Sequence, residues 1–256
     1  MTLIDAIQEE RKVLSNPIAT KEGKSENWRK VFNKIKELIK SGADVNGKEK
    51  HFGYTTLMLA YSIQTAQLLI EAGADVNAFD KNGETALMWA SAQGDVDRVK
   101  LLIKSGADVN AIDDAFGSTA LMRASTAEIT QLLINAGADI NLSAKYGWTA
   151  LEQSVSYGQY EKVRLLLAAG ADINATGWRG KTALMEASGI GRKEMVKLLI
   201  KSDADISAKD DDGHDALWYA HNHTDKRVSR LCLEPAPEEV YGEIIQLLKE
   251  AGAEEK

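Results

Sequence analysis

The sequence has little of what several classes of protein require. It contains one cysteine, Cys232, which excludes an internal disulfide and fits a reducing compartment. Its three prolines argue against a proline-rich linker. No stretch approaches the roughly 20 apolar residues that cross a bilayer, and the first residues lack the apolar core of a cleaved secretory signal. We therefore expect a cytoplasmic protein without a membrane partner.

Basic residues are also fewer than acidic residues. The formal net charge is −7, from 31 Lys and Arg against 38 Asp and Glu. A general nucleic-acid binder would need a basic face, so no nucleic-acid partner is expected. The acidity is concentrated in residues 203–256, which hold 6 basic and 14 acidic side chains. We favour the interpretation of a polar terminal cap; an acidic surface that steers a basic partner is the alternative.

The most informative feature is a five-residue repeat. Gly-Ala-Asp-Val-Asn or Gly-Ala-Asp-Ile-Asn recurs at intervals of 31 or 33 residues, and a degraded copy begins at Asp203. A second motif, close to Gly-x-Thr-Ala-Leu-Met, runs in phase with the first. Self-similarity at this period indicates a stacked-repeat architecture. The intact copies begin at Gly42, Gly73, Gly106, Gly137 and Gly170.

Each repeat predicts a turn followed by two short helices. The glycine of the second motif suits a turn with positive φ, and the threonine after it is a typical N-cap residue. The glycine that closes the leucine-rich second helix suits a left-handed C-cap. Neither helix can bury its apolar face alone, so the pairs must stack. At Asp203 an aspartate occupies the closing position, and we expect it to adopt a strained positive φ.

Together the two motifs resemble those of the ankyrin-repeat family, over about residues 25–256. The resemblance implies an all-α solenoid of helix-turn-helix repeats, with finger turns and a concave groove lined by the first helices. The family's Thr-Pro-Leu-His is mostly Thr-Ala-Leu-Met here, so we expect methionines to pack between repeats. Glu152 breaks this methionine pattern, and we expect it to be partly buried with a shifted pKa. The methionines are Met58, Met88, Met122 and Met185.

We expect one ankyrin-repeat domain over residues 1–256, with an irregular segment at each end. The N-terminal segment is interpreted as a cap of two helices, at 2–14 and 26–40, joined by a loop that contains proline, glycine and serine. The last repeat carries an insertion at about 222–239, interpreted mainly as a loop. The expected divisions are 1–46 for the cap, 47–207 for five repeats and 208–256 for the last repeat.

The resemblance implies protein binding through the fingers and the groove. No nucleophile elbow, phosphate-binding glycine loop or zinc-protease motif occurs, so neither enzyme activity nor a cofactor is expected. We predict a non-catalytic module, monomeric by itself, that binds another protein. The predicted contact residues are Tyr54, Phe79, Lys81, Glu84, Phe116, Arg123, Tyr146, Trp148, Tyr157, Trp178, Arg179 and Glu186.

Aromatic residues in the fingers are the main reason for this set. Finger tips are normally solvated, and Trp and Tyr are side chains that often anchor interfaces. The alternative is that several of these rings pack sideways against a neighbouring finger. Two other tryptophans, Trp89 and Trp218, lie within first helices and are predicted to pack in the core.

Two other functions stay open. The protein could be a dedicated inhibitor, such as an immunity protein that masks one toxin enzyme, and its acidity would suit a basic nuclease. A less favoured interpretation is a metal-dependent or enzymatic role of residues 208–240. His221, His223 and Cys232 could ligate zinc there, but their spacing matches no established zinc module. The aspartates at 210–215 lack the spacing of a calcium loop, so no metal site is predicted.

Overall fold

The computed structural model describes residues 1–16, 21–223 and 236–254, and of residues 21–24 the backbone alone. Cys232 and most of the predicted insertion lie outside the described residues. Contacts divide the chain into two compact units, Met1–Ala138 (unit 1) and Asp139–Lys256 (unit 2). Among the helices of these residues, none has both the length and the apolar character of a membrane span.

In both units, short helices follow one another in contacting pairs, as the motif spacing predicts. The described helices of unit 1 are α1 (Leu3–Ser15), α2 (Lys21–Lys40), α3 (Thr56–Leu59), α4 (Ile63–Glu71), α5 (Ala86–Gln93), α6 (Val96–Lys104), α7 (Ala120–Arg123) and α8 (Ala127–Asn135). Those of unit 2 are α9 (Ala150–Ser156), α10 (Tyr160–Ala168), α11 (Ala183–Gly189), α12 (Lys193–Lys201), α13 (Ala216–His221) and α14 (Glu238–Glu250). Two 3-10 turns, Lys145–Gly147 and Trp178–Gly180, lie in the fingers of unit 2.

The N-terminal cap consists of two helices, but the second begins earlier than predicted. Helix α2 starts at Lys21 rather than at residue 26, so Gly23 and Ser25 are helical and do not belong to a loop. One glycine in a helix costs about 1 kcal/mol, whereas each added residue gains a backbone hydrogen bond. A 20-residue amphipathic helix tolerates that cost, which the local composition did not reveal.

A buried carboxylate joins this cap to the first repeat. Glu10 of α1 is fully buried. Its Oε1 accepts hydrogen bonds from Trp28 Nε1 at 2.9 Å, Ser62 Oγ at 2.6 Å and Thr65 Oγ1 at 2.7 Å. Because these donors come from α2 and from the start of α4, one side chain ties together three elements that are distant in sequence.

The predicted N-caps are confirmed in every repeat. In the first repeat, the Thr55 hydroxyl accepts from the Met58 backbone N–H at 3.2 Å, while Met58 Sδ lies 3.5 Å from the Thr55 nitrogen. The methionine thus completes a capping box in which sulfur is the acceptor. All four motif methionines are buried, as predicted. The other capping residues are Thr85, Thr119, Thr149, Thr182 and Asp215.

The asparagine of the five-residue motif has a role that the sequence did not suggest. In unit 1, Asn77 donates from Nδ2 to the Gly106 carbonyl at 3.2 Å and accepts from the Asp108 N–H at 2.8 Å. In unit 2, Asn141 makes the equivalent pair of bonds to the repeat that follows its own. These asparagines therefore link the second-helix end of one repeat to that of the next.

The strained backbone predicted at the degraded motif is confirmed. Asp203 has φ 64°, where the motif glycines have φ between 84° and 90°. We expect Asp203→Gly to stabilise the protein by about 1 kcal/mol, because glycine avoids the clash between Cβ and the carbonyl oxygen in this conformation. Urea unfolding of the variant checks this. Asp205→Gly is the control: it removes a side chain of the same motif that caps Ser207, and should destabilise.

Candidate functional site

Two fingers of unit 2, at residues 143–149 and 176–182, are tight turns with an unusual backbone. Isolated β-bridges between residues 143 and 149, and between 176 and 182, close their bases. At their tips, Tyr146 has φ 68° and Arg179 has φ 61°. A non-glycine residue in this conformation costs about 1–2 kcal/mol. Such strain persists where surrounding structure enforces it, often at functional sites.

These turns bring two exposed aromatic rings together. Tyr146 is 68% exposed and Trp178 is 41% exposed. Their ring centroids lie 4.9 Å apart and the ring planes meet at 70°. This is an edge-to-face arrangement, which aromatic pairs favour. Trp148 is half-buried beside them. The structure therefore brings three of the predicted contact residues into one group, which we call the aromatic cluster (Tyr146, Trp148 and Trp178).

A small cleft of about 10 Å³, with room for about one water molecule, lies beneath this cluster. We call it the finger cleft. Two carboxylates from the first helices line it: Glu152 of α9 is 3% exposed and Glu186 of α11 is 8% exposed. The lining residues are Trp148, Glu152, Gly177, Trp178, Lys181, Thr182 and Glu186.

Burial raises the pKa of Glu152 from its ordinary 4.5 to about 7. The negative charge of Glu186 adds to this increase, whereas hydrogen bonds from the Thr149 and Gly177 backbone N–H groups oppose it. Glu152 occupies the capping-box position that methionine holds elsewhere, and its Oε2 accepts from the Thr149 N–H at 2.8 Å. The predicted pKa shift is therefore supported, although the contact set predicted from the sequence left Glu152 out.

The other predicted contacts of unit 2 differ in accessibility. Tyr157 is 58% exposed at the end of α9. Arg179 forms an exposed ion pair with Asp212, 3.1 Å between Nη2 and Oδ2. Glu186 accepts from Ser156 Oγ at 2.9 Å and lies mostly beneath the surface.

In unit 1, two predicted contact residues bind each other. Arg123 Nη2 lies 2.6 Å from Glu84 Oε1 and 2.9 Å from Asp113 Oδ2. The Asp113 side chain is fully buried, and those of Glu84 and Arg123 are 14% and 21% exposed. The guanidinium of Arg123, a predicted contact residue, thus joins the short helix α7 to two neighbouring fingers.

The fingers of unit 1 also present exposed aromatics, and one of them, Phe52, is 57% exposed and stacks on Tyr54 with ring centroids 5.2 Å apart. Phe79 is 54% exposed, with Lys48 Nζ 4.9 Å from its ring centroid, and Phe116 is 65% exposed. Tyr54 is half-buried, edge-to-face on Trp89 at 4.9 Å. The Tyr54 ring therefore packs sideways, which was the alternative to a contact role for the finger aromatics.

One more predicted contact residue of unit 1 has internal partners. Lys81 is exposed, but its Nζ donates to the Lys50 and His51 carbonyls, both at 2.9 Å. These bonds connect the second finger to the first.

The core position predicted for Trp218 is wrong. Trp218 is 39% exposed, and its ring stacks on His214 with centroids 3.6 Å apart. It lies at the register of the methionines that are buried in other repeats. Whether a side chain at this register is buried depends on what packs against it through space, which the local pattern could not reveal.

The polar groups considered for metal binding have protein partners. Asp210, Asp212 and His214 each offer an atom within 4.8 Å of the others. However, Asp210 accepts from the backbone N–H groups of Asp212 and His214 and from Tyr219 Oη at 2.5 Å, and so it organises the turn. His223 stacks on Tyr241 at 3.8 Å. Cys232, the third residue of the zinc hypothesis, lies outside the described residues.

Comparisons with known proteins agree with the repeat architecture. A family model described as ankyrin repeats (3 copies) matches residues 28–113 and 111–177, and one described as ankyrin repeat matches 179–211. Mouse ankyrin repeat and SOCS box protein 6 is 40% identical over 65 residues, 24% of this chain and 16% of that protein. Chicken inversin is 39% identical over 67 residues, 25% of this chain and 6% of that protein. The chain thus spans at most about a sixth of these relatives' length. With matches over most of its length and no strand among the described residues, the chain belongs to the ankyrin-repeat family and has its all-α repeat solenoid fold.

Proposed function

We propose that this protein is a non-catalytic module that binds a partner protein through the aromatic cluster of unit 2. Ankyrin repeats generally mediate protein–protein interaction, which supports the general function. The name of the mouse relative mentions ankyrin repeats and a SOCS box, that of the chicken relative is inversin, and neither states a partner. The choice of surface therefore depends on the geometry of this chain.

The observation that carries the proposal is the exposed Tyr146–Trp178 pair. Burying both rings would remove a large apolar area from water, and such rings contribute most of the binding energy in many interfaces. Their turns are closed by β-bridges, so the surface is ordered before a partner arrives. A preformed surface lowers the entropy cost of association. Tyr157 and Arg179 extend this surface, and Phe79 and Phe116 form a second, weaker candidate in unit 1.

Replacing both exposed rings should strongly weaken partner binding. We expect Tyr146→Ser/Trp178→Ser to weaken the affinity by a factor of at least about 100, because anchoring aromatics contribute about 2 kcal/mol or more each. Affinity capture from the native lysate, with mass spectrometry and then calorimetry on the purified partner, measures this. The matched control is Tyr160→Ser, which removes an exposed ring from the second-helix face of the same unit.

The outcome also separates two versions of the function. One stoichiometric partner whose activity is lost in the complex would indicate a dedicated inhibitor, such as an immunity protein. Several partners that stay active would indicate an adaptor. Capture of the same proteins by wild type and by the double variant would contradict the proposed surface.

A further inference from the structure

The first helices of unit 1 leave a notch where one of them is short. Helix α3 contacts both α1 and α5, but it has 4 residues where α5 has 8. The last helical turn is therefore missing after Ala60. A notch of about 30 Å³, with room for about two water molecules, lies beside this end of α3. We call it the groove notch, and Arg11, Ala60, Tyr61, Trp89 and Arg98 are among the residues that line it.

Two of the lining side chains carry buried N–H groups that have no acceptor. Trp89 Nε1 and Arg98 Nε are without a hydrogen-bond partner among the described residues. Arg98 as a whole is 4% exposed. Its Nη2 donates to the Tyr61 carbonyl at 3.0 Å and lies 3.1 Å from Asp95 Oδ2. A buried donor without an acceptor is costly, so the notch suits a group that accepts hydrogen bonds.

Charge indicates which kind of acceptor fits best. The charged side chains that line the notch are both arginines, and the exposed Arg11 forms no ion pair within the part of the chain that the structure describes. Burial lowers the pKa of Arg98, although the charges of Asp95 and Glu10 act in the opposite direction. These two carboxylates therefore compensate the buried cation incompletely. The cap, residues 1–46, also has a small excess of basic side chains, 9 against 7 acidic. An anionic acceptor is thus favoured over a neutral one.

We propose that the groove notch receives the carboxylate of a glutamate side chain from the partner protein, which accepts from Trp89 Nε1 and pairs with Arg11 and Arg98. This inference rests on the general function of partner binding and does not depend on the aromatic cluster of unit 2. A carboxylate is about the size of two water molecules, so it fits the notch. A glutamate side chain suits this space because its carboxylate ends a narrow stem, whereas a C-terminal carboxylate would bring the backbone with it.

The test uses the full chain and a five-residue peptide, blocked at both ends, whose one carboxylate belongs to a central glutamate. Calorimetry and the indole N–H resonance of Trp89 measure binding at low and at physiological salt. We expect a dissociation constant in the millimolar range, a shift of the Trp89 resonance and weaker binding at the higher salt. The glutamine counterpart, which has the same shape without the charge, should not bind.

Two variants make the result specific. Trp89→Phe removes the indole N–H but keeps an aromatic ring beside Tyr54, and it should weaken binding by at least about tenfold. Arg11→Gln removes an exposed cation, so it should fold and weaken binding about two- to fivefold. Lys12→Gln is the matched control, because it removes the next cation of α1, which pairs with Glu9, and it should leave the affinity unchanged.

Three results would overturn the inference. They are equal binding of the blocked glutamine peptide, wild-type affinity in either Trp89→Phe or Arg11→Gln, and no binding of the glutamate peptide at millimolar concentration. A glutamine peptide with a free C-terminus distinguishes the source of the carboxylate. If it binds as well as the glutamate peptide, the notch recognises a chain terminus and the assignment to a side chain is wrong.

The same measurements separate this inference from the proposed function. If the glutamate peptide does not bind while Tyr146→Ser/Trp178→Ser still loses the partner, the notch inference fails and the proposed surface stands. If the peptide binds while the double variant keeps its partners, the proposed surface fails and the notch remains a carboxylate site.

Discussion

Glu152→Met should stabilise the protein at pH 8 and have a much smaller effect at pH 5. The folded-state pKa of Glu152 is raised to about 7 from an ordinary 4.5, chiefly by burial. A carboxyl whose pKa is higher in the folded state stabilises the protein fully below pH 4.5. This stabilisation is lost as the pH rises from 4.5 to 7. The loss reaches roughly 3 kcal/mol, and methionine avoids it because it carries no charge.

Urea unfolding at pH 5 and pH 8 measures this difference. The matched variant is Met185→Glu, which creates the same buried carboxylate one repeat later and should destabilise more at pH 8 than at pH 5. An equal gain for Glu152→Met at both pH values would show that ionisation is not the cause.

Asp113→Ala should destabilise unit 1 by about 3–5 kcal/mol, the range for breaking a buried pair. The carboxylate of Asp113 accepts from the backbone N–H groups of Phe116, Gly117 and Ser118 at 2.6, 3.1 and 3.2 Å, and from Arg123 at 2.9 Å. Removing it leaves the Phe116 and Ser118 amides without this acceptor, while Gly117 keeps its bond to the Asp113 carbonyl and Arg123 keeps its pair with Glu84. Thermal unfolding measures the effect, and Asp114→Ala, at the exposed neighbour, should cost far less.

The same residue should make unit 1 sensitive to acid. Burial alone would raise the pKa of Asp113, but the hydrogen bonds from Phe116 and Arg123, with the charge of Arg123, outweigh it and lower the pKa below 3.8. Stability from a lowered pKa is present above the unfolded value and is lost as the pH falls through the folded value. Wild type should therefore lose stability below about pH 4, and a variant without this carboxylate should lose less.

What the sequence by itself determined are the features that recur at a fixed spacing. The threonine caps, the buried methionines, the helix pairs and the positive φ of Asp203 each depend on residues within one repeat. Local hydrogen bonding and backbone sterics decide such features, so a pattern read along the chain predicts them. The exposed finger aromatics belong partly to this group, because finger turns are solvated in any stack of such repeats.

Only the tertiary structure decided which side chains meet across repeats. Arg123 pairs with Glu84, which lies 39 residues earlier, and Glu152 faces Glu186 from the next repeat. Trp218 is exposed although its register is buried elsewhere. These outcomes depend on what the adjacent repeat places opposite a residue, and side-chain contact, desolvation and charge coupling act through space rather than along the chain.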